Sequence, residues 1–562
     1  MTTIRPARFK LSLAVLLLAL SAIDVQAAST LPPGAGSILQ QIQPVEPPSP
    51  PTNNPGLVIE QQGAEELPPT APFLVRSIRI KGNAAFGTAP LHALVRDAEG
   101  KSLTLSQLYD LAALITDFYH RHGYPLARAI IPAQTIQEGE VEIEVIEAHY
   151  GKIEIDNRSR VKDALLQATL FPLQSGQAIE QGRLDRSLLL LSDVPGIVAG
   201  ATLKPGEAVG TSDLLVQSTP GPAAAGNVTL DNYGNRYTGS ALIGGELDLY
   251  APLHHGDLLD ATVQSSGHDM DYGRVLYDVL LNGAGSHLGG SYSALHYILG
   301  ESLASLDGYG TARVASLWGK QPLVRTVAFN LYGQLQFDRK QLRDDIGVSG
   351  IRTDRHLDNW TASLSGDKRD AILSGGINTW SVGLTSGHVG FDDATAERAD
   401  AATAKIQGRF LQGNAIFARL QRLTPKDTLY VTLSGQWANT NLDPSQKMVA
   451  GGPYTVRAYE MSALTGDSGI QARAEWRRDL LAWHGQWQAV AFLDSEHVTV
   501  NKNVWTSGTN DATLSGAGLG LNWSGTHQWS VKGSIATHLG STPVIAGATS
   551  SVRGWIEVAK GF

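Results

Sequence analysis

The chain has 562 residues, enough for several domains or for one large domain with smaller ones attached. Its formal net charge is -9 and only 17% of its residues are charged, which argues against a nucleic-acid partner. Cysteine is absent, which excludes disulfides and thiolate–metal sites. A chain without thiols suits a protein that crosses an oxidising compartment before it folds.

The N-terminus has the parts of a secretory signal peptide. Arg5, Arg8 and Lys10 precede an apolar run that is too short to span a membrane as a helix, and the small residue Ala27 ends the pattern. We predict a signal peptide over residues 1–27. The alternative is an N-terminal membrane anchor, which the short apolar run and the proline-rich continuation disfavour.

Proline is frequent in residues 28–72, which predicts an extended linker, because proline lacks a backbone N–H and breaks helices and sheets. One stretch in it, GSILQQIQ at residues 36–43, is able to form a short helix. A helix of this length is marginal in water, so it needs a surface to pack on.

Two segments after the linker show the same order of elements. Residues 73–149 begin with an alternating strand over 73–82, followed by an amphipathic helix with a capping box at Thr104 and Gln107 and by two more strands. Residues 150–220 read as one strand, two helices and two strands. The sequence predicts two small α+β modules of β-α-α-β-β pattern, alike in pattern and not in sequence.

Residues 221–562 lose the helical period and alternate apolar with small or polar residues. This is typical of a transmembrane β-barrel, whose strands need about 9–11 residues each. The length predicts about 16 antiparallel strands, and about 14 or about 18 would fit nearly as well. A soluble β-helix or sandwich would not explain the signal peptide, the aromatic outer faces and the terminal Phe562 together.

A glycine-rich excursion, GGPYTVRAYE at residues 451–460, interrupts these strands and carries Arg457 between large apolar residues. Surface arginines are common, so the residues alone leave two interpretations open. Arg457 is either a solvated turn residue or a buried cation with a carboxylate partner.

The order of segments resembles the outer-membrane transporters of two-partner secretion, the haemolysin-activator and filamentous-haemagglutinin transporter family. The resemblance runs from about residue 30 to Phe562 and is carried by several stretches in the right order. They include GYPLARAIIPAQTIQEGEVEIEVIEA at residues 123–148, DNYGNRYTGS at 231–240, APLHHGDLL at 251–259 and GGPYTVRAYE itself.

This resemblance implies two polypeptide-transport-associated (POTRA) domains in the periplasm, a barrel in the Gram-negative outer membrane and a long loop folded into its lumen. The family's Val-Arg-Gly-Tyr tip matches Val456, Arg457, Ala458 and Tyr459. Alanine replaces glycine there, which argues against a strained tip conformation. The family's Phe-x-Asp-x-Gly wall motif matches Phe492 and Asp494, with Glu496 at the glycine position.

A guanidinium in a lumen can be held by a wall carboxylate through paired, charge-assisted hydrogen bonds. We therefore predict that Arg457 contacts Asp494 and that this contact fixes the depth of the loop tip. Alternation places Glu496 on the same face as Asp494. VRGW at residues 552–555 looks closer to the tip motif, but it lies too near the last residue for a long loop, so we assign it to the barrel wall.

The resemblance implies a secretion pore. Residues 73–220 would capture a large unfolded exoprotein, adhesin-like or cytolysin-like, through its N-terminal secretion domain, and the barrel would export it. Outer-membrane lipid and the barrel assembly machinery are further implied partners. A linker of roughly 30 residues has an r.m.s. reach near 30 Å, so the helix at 36–43 is expected to enter the lumen as a plug.

Signals for catalysis are poor, and we predict no enzyme activity, cofactor or metal. The histidine pairs at 120/122 and 254/255 are expected to be solvated, and GAGSHLGG at residues 283–290 lacks the spacing and the helix of a dinucleotide loop. Two alternatives stay open. An assembly factor for outer-membrane proteins also joins POTRA domains to a barrel, and a passive porin would lack residues 73–220.

Overall fold

The computed structural model describes residues 32–42, 46–60, 70–480, 483–547 and 549–562. The predicted signal peptide lies outside the described residues. The first elements are helix α1 (Ala35–Ile42) and strand β1 (Leu57–Ile59). The helix begins one residue before the predicted range 36–43, whose last residue, Gln43, is outside the described residues.

The first module packs two helices on two small sheets. Its elements are β2 (Phe73–Val75), β3 (Ser77–Lys81), α2 (Thr88–Val95), β4 (Lys101–Leu103), α3 (Leu105–Arg121), β5 (Arg128–Ile130) and β6 (Glu140–Ile146). One sheet has the order β3-β6-β5, and the other pairs β2 with β4. The apolar stripe of α3 is buried through Leu108, Ile115 and Tyr119. The predicted capping box of Thr104 and Gln107 is present.

The single strand predicted over residues 73–82 is wrong. The chain breaks at Arg76, because Val75 before it and Ile78 and Ile80 after it are all buried in one core. Neighbouring residues of a strand point to opposite faces, so an uninterrupted strand cannot bury Val75 and Ile78 together. The break lets β2 pair with β4 while β3 pairs in parallel with β6.

The second module has the predicted order of one strand, two helices and two strands. Its elements are β7 (His149–Asn157), α4 (Asp163–Leu170), α5 (Gln181–Ser192), β8 (Ile197–Pro205) and β9 (Thr211–Pro220). The sheet has a strand that the sequence did not predict, because its order is β1-β8-β9-β7 and β1 comes from the proline-rich segment. That segment is therefore more than an extended linker.

Sixteen antiparallel strands close into a barrel, which confirms the predicted fold class and strand number. The first are β10 (Ala224–Asp231), β11 (Leu242–Tyr250), β12 (Asp257–Ser265), β13 (Met270–Leu280), β14 (His287–Ile298), β15 (Gly308–Arg325), β16 (Phe329–Ile346), β17 (Ile351–Asp370), β18 (Gly376–Phe391), β19 (Gly408–Arg422) and β20 (Asp427–Ala438). A loop containing β21 (Met448–Ala450) and β22 (Leu464–Gly466) follows. The last strands are β23 (Ser468–Asp479), β24 (Gln486–Thr499), β25 (Asp511–Ser524), β26 (Trp529–His538) and β27 (Val552–Gly561).

The outer wall of the barrel is apolar. Large side chains that are exposed on it include Leu317, Leu335, Trp360, Val382 and Trp437. A contiguous apolar outside is the reverse of a soluble surface and fits a lipid environment. A further helix, α6 (Ala394–Ala402), lies between β18 and β19. Within the described ranges, no helix is long and apolar enough to span a membrane.

The barrel closes between β10 and β27, next to the last residue. Phe562 exchanges two backbone hydrogen bonds with Gly226 and exposes its ring. A Cβ on Gly226 would lie 2.6 Å from that ring, so glycine is needed for this close approach. Residues 552–555 begin β27 and form part of the wall, as predicted.

We call the end where β10 begins and β27 ends the module end, and the opposite end the far end. The second module packs against the turns of the module end. His254 and His255 are exposed there, as predicted, and they also contact this module. Their ring nitrogens lie 2.6 Å from the carbonyl oxygen of Arg160 and 2.9 Å from Nζ of Lys162.

Candidate functional site in the barrel lumen

Residues 439–467, which we call the lumen loop, connect β20 to β23 at the far end and fold back into the barrel. The loop contains a 3-10 turn, Pro444–Gln446, and the short hairpin of β21 and β22. Its tip holds the four predicted residues. All of them are buried, namely Val456, Arg457, Ala458 and Tyr459.

The structure brings Arg457 and Asp494 together on the inner wall. Arg457 Nε donates to Asp494 Oδ2 at 2.8 Å and Nη2 donates to Oδ1 at 2.7 Å, so the pair is bidentate. The backbone N–H of Arg457 donates to the same carboxylate at 3.2 Å. The guanidinium also lies 3.4 Å from the centre of the Phe492 ring, so both predicted wall residues contact it.

Three further charged residues join this pair, and sequence reasoning missed them. Glu475 Oε1 lies 2.8 Å from Arg457 Nη1, and its other oxygen lies 2.6 Å from Arg477 Nη2. Arg473 Nη2 lies 3.3 Å from Glu475 Oε1. We call Arg457, Arg473, Glu475, Arg477 and Asp494 the tip cluster. The available signal was the alternation of polar residues in QARAEWRRD, which places residues 471, 473, 475 and 477 on one face of β23.

The wall also contacts the tip through a segment that resembles its motif. Trp555 in β27 donates from Nε1 to the carbonyl oxygen of Arg457 at 2.8 Å. Arg553 Nη2 lies 2.9 Å from Glu460 Oε1. Residues 552–555 are therefore partners of the tip rather than a second tip.

The two departures from the family motifs have different consequences. The backbone φ of Ala458 is not positive. Ala458 packs on Gly516, where an added Cβ would lie 2.6 Å from the Ala458 Cβ. Glu496 is buried on the same face as Asp494, as alternation predicted. Its carboxylate accepts from Gln471 Nε2 at 3.4 Å rather than from the tip arginine.

Helix α1 lies inside the lumen near the far end. Ala35, Ile38 and Leu39 are buried in an apolar cluster with wall residues that include Met270 and Tyr297. Gly36 approaches the 3-10 turn of the lumen loop so closely that a Cβ would lie 2.7 Å from the Ser445 backbone nitrogen. The 3-10 turn of the lumen loop therefore forms one side of the site in which α1 packs; we call this site the seat of the helix.

A second group of charged residues, of which Arg355 and Asp443 are buried, supports this seat. The backbone N–H of Ala35 donates to Asp344 Oδ1 at 2.6 Å, where a carboxylate favours the positive end of the helix. Arg355 donates to Asp344 at 2.7 Å and to Asp443 of the lumen loop at 2.5 Å. Lys340 Nζ donates to the Ser445 carbonyl oxygen at 3.1 Å. We call Lys340, Asp344, Arg355 and Asp443 the plug cluster.

Residues 46–52, which lie between α1 and β1, run down the lumen to the module end. Residues 46–50 line a cavity of about 570 Å³ beside the tip cluster. At the module end, Arg369 donates to the Pro51 carbonyl oxygen at 2.7 Å and Arg325 donates to that of Thr52 at 2.8 Å. Arg325 also forms two hydrogen bonds with Asp193 of the second module, at 2.7 and 2.8 Å. This arginine joins the barrel, the second module and the linker.

Known protein families match two parts of this chain. A family model described as haemolysin secretion/activation protein ShlB/FhaC/HecB matches residues 210–523, more than half of the chain. The chain belongs to this family. A second model, described as POTRA domain, ShlB-type, matches residues 73–148, which correspond to the first module. The stated resemblance is confirmed.

Curated relatives and solved structures agree with this assignment. A heme/hemopexin transporter protein, HuxB, of Haemophilus influenzae is 25% identical over 82% of each chain. An outer membrane transporter, CdiB, of Escherichia coli is 24% identical over 83% of this chain and 79% of that one. The solved CdiB structure from Escherichia coli has a TM-score of 0.69 at 20% identity, with 90% of this chain and 92% of that chain covered, which shows the shared fold.

The chain is therefore an outer-membrane transporter of two-partner secretion, with its POTRA domains in the periplasm. The module end of the barrel is periplasmic and the far end is extracellular. Transporters of this class pair with a large secreted exoprotein. These findings favour secretion over the alternative of an assembly factor, because the matching family model describes a secretion protein and the curated relatives are transporters. BamA of Haemophilus ducreyi shares the fold, with a TM-score of 0.52 at 13% identity.

Proposed function

We propose that the two modules capture one unfolded exoprotein by its N-terminal secretion domain and that the barrel lumen carries it to the cell surface. An adhesin-like or cytolysin-like exoprotein is the expected cargo. Outer-membrane lipid surrounds the apolar wall, and the barrel assembly machinery is the expected route of insertion. Residues 73–220 carry the capture step, because an unfolded chain offers backbone groups for strand addition before it offers a shape.

The observation that carries this proposal is that two segments fill the lumen without belonging to its wall. Helix α1 and the lumen loop are held by side-chain contacts and by a few backbone contacts, whereas the barrel ladder closes without either of them. Their removal therefore opens a passage while the barrel stays intact.

The two segments have different roles in this proposal. Helix α1 is the plug that leaves during export. Arg457, held by Asp494 and Glu475, keeps the tip of the lumen loop at a fixed depth beside the passage. Folding of the exoprotein outside the cell supplies the direction, because burial of its apolar surface prevents return.

The test is production of the chain together with its cognate exoprotein, sought in the neighbouring reading frames, with measurement of the exoprotein in medium and periplasm. If the chain exports the exoprotein, the exoprotein should reach the medium only when the transporter is present. Equal release without the transporter would contradict the proposal. Loss of many unrelated barrel proteins on deletion of the gene would instead favour an assembly factor.

A further inference from the structure

The sheet of the second module has an edge that the chain covers with its own linker. Strand β1 pairs in parallel with β8, with Leu57, Val58 and Ile59 opposite Ala201, Thr202 and Leu203. The Ala201 N–H donates to the Gly56 carbonyl oxygen at 2.9 Å, and the Glu60 N–H donates to the Leu203 carbonyl oxygen at 3.0 Å. Without β1, strand β8 would be the edge of this sheet.

This cover is small compared with the edge it occupies. Strand β1 has three residues, whereas β8 has nine. Val198, in the part of β8 that β1 leaves unpaired, is more than half exposed, so an apolar side chain accompanies the uncovered part of the edge. A longer strand could pair with more of β8 than β1 does, and unpaired edge groups are a template for such pairing.

The burial pattern of β8 also favours a particular pattern of side chains in any strand added to this edge. Ala201 and Leu203 of β8 are buried, while Val198 and Lys204 are exposed. Leu57 of β1 lies opposite Ala201 and packs on the buried cluster of the module. An incoming strand in the same register would therefore place apolar residues at every second position. Such alternation is a property of unfolded polypeptides that later form β-structure.

We propose that the β8 edge is the strand-addition site for an extended, alternately apolar segment of the exoprotein, and that β1 is an internal competitor whose displacement frees the plug. The inference rests on the proposed function and deepens it, since it assigns the capture site and links capture to opening.

The length of the linker gives the physical link between the two events. With β1 in place, the 14 residues 43–56 connect α1 to the module, a contour of at most about 50 Å at 3.3–3.6 Å per residue. With β1 displaced, residues 43–69 connect α1 to the first module, and the contour nearly doubles to about 90 Å. A docked β1 therefore restrains the plug, and a displaced β1 gives it room to move.

The contacts along this path are compatible with sliding. Arg325 and Arg369 bind the linker only through the carbonyl oxygens of Thr52 and Pro51, which any other residue of the linker also offers. The pairing of β1 with β8 depends more strongly on which residues are present than these carbonyl contacts do. Gly56 precedes it with a φ of +62°, and a Cβ there would lie 3.0 Å from the Ala199 carbonyl oxygen.

The test uses a disulfide that holds β1 on β8. Val58 and Thr202 are direct partners in the pairing, and adjacent strands are about 4.8 Å apart, within the Cα separation that a disulfide spans. The native chain has no cysteine, so Val58→Cys with Thr202→Cys forms only this bridge. The matched control bridges β8 to β9 through Val198→Cys with Thr219→Cys, which are also direct partners, and leaves β1 free.

In planar bilayers, the probe is a synthetic peptide of residues 53–62 added on the periplasmic side. It should compete with β1 and raise the conductance of the wild type, of the control bridge and of the reduced Val58–Thr202 variant, and leave the oxidised variant unchanged. An equal rise in the oxidised variant, or none in the wild type, would overturn the inference.

In cells, the oxidised Val58–Thr202 variant should fail to secrete the exoprotein, reductant should restore secretion, and the control bridge should secrete as the wild type does. If the wild type secretes and the oxidised variant secretes equally well, the inference fails and the proposed function stands. If the wild type does not secrete, the proposed function itself fails.

Discussion

The tip cluster and the plug cluster both lie inside the lumen, but they differ in what the movable segment contributes. In the tip cluster, the loop supplies a charge, because Arg457 is itself the cation that binds Asp494 and Glu475. In the plug cluster, α1 supplies no charged side chain and offers the backbone N–H of Ala35 to Asp344. Arg355 already binds that carboxylate.

This difference indicates which segment leaves. Withdrawal of α1 removes two hydrogen bonds, from the Ala35 N–H to Asp344 and from Gln40 Nε2 to the Ser445 carbonyl oxygen, together with some apolar contact. Arg355 stays paired with Asp344 and Asp443. Withdrawal of the loop tip takes a buried guanidinium away from two carboxylates, and separation of buried charges is costly. We therefore expect the plug to be the segment that moves and the tip to be the segment that stays.

The largest effect on secretion is expected at the tip cluster. Arg457→Ala and Asp494→Ala each leave an imperfectly compensated charge, which costs about 3–5 kcal/mol in a dry interior and less in a wet lumen. Each should abolish most secretion while the barrel still assembles, because neither residue faces lipid.

Arg457→Lys should rescue only in part, since an ammonium cannot form the two parallel bonds of a guanidinium. The charge swap Arg457→Asp with Asp494→Arg should secrete more than either single variant. The control is Arg478→Ala, which breaks an exposed pair with Asp427. Loss of this exposed pair should change the free energy of unfolding by no more than about 1 kcal/mol. Wild-type secretion by both alanine variants would make Arg457 a residue without a role in transport.

Removal of the plug should have the largest effect on conductance. Deletion of residues 28–45 eliminates α1, so the resting conductance in planar bilayers should rise while secretion stays largely intact. An unchanged conductance would show that α1 does not close the pore.

Arg355→Ala tests the contrast between the clusters directly. It leaves Asp344 and Asp443 without the cation that bridges them, so the seat of α1 and the turn of the lumen loop should both loosen. Resting conductance should rise, although less than on deletion of the plug. Arg457→Ala should leave resting conductance near that of the wild type, and equal rises in the two variants would remove the distinction.

Gly36→Ala should have the smallest effect. The added Cβ would lie 2.7 Å from the Ser445 backbone nitrogen, so the helix has to shift away from the loop. A modest increase in the frequency of channel openings is expected. The control is Gly319→Ala on the outer wall, where a Cβ meets nothing within 4 Å. Equal behaviour of the two variants would show that the close approach at Gly36 is unimportant.

The sequence predicted the barrel and the partners of the tip for identifiable reasons. Alternation over residues 221–562 recurs in several of the strands, so the barrel did not depend on any single segment. The pairing of Arg457 with Asp494 followed from the family motifs. Glu475 was missed because its role depends on the register of β23 against β24, which places it opposite Phe492. Register across strands is not readable from one strand alone.

Short elements were harder to predict. Strand β1 has three residues within a proline-rich stretch and exists only because β8 offers an edge. The break at Arg76 likewise reflects two different pairing partners for β2 and β3. Tertiary contacts override local pattern at such places.

The most direct test of lumenal export is cross-linking of an exoprotein stalled during secretion. The transporter has no native cysteine, so a single one can be placed on either side of the wall. Thr432 in β20 is buried and lines the lumenal cavity, whereas its neighbour Leu433 is 45% exposed on the outside. An exoprotein with one cysteine, stalled by a folded C-terminal fusion, should cross-link to Thr432→Cys and not to Leu433→Cys. Cross-linking to Leu433→Cys alone, or none to Thr432→Cys while export is stalled, would contradict passage through the lumen.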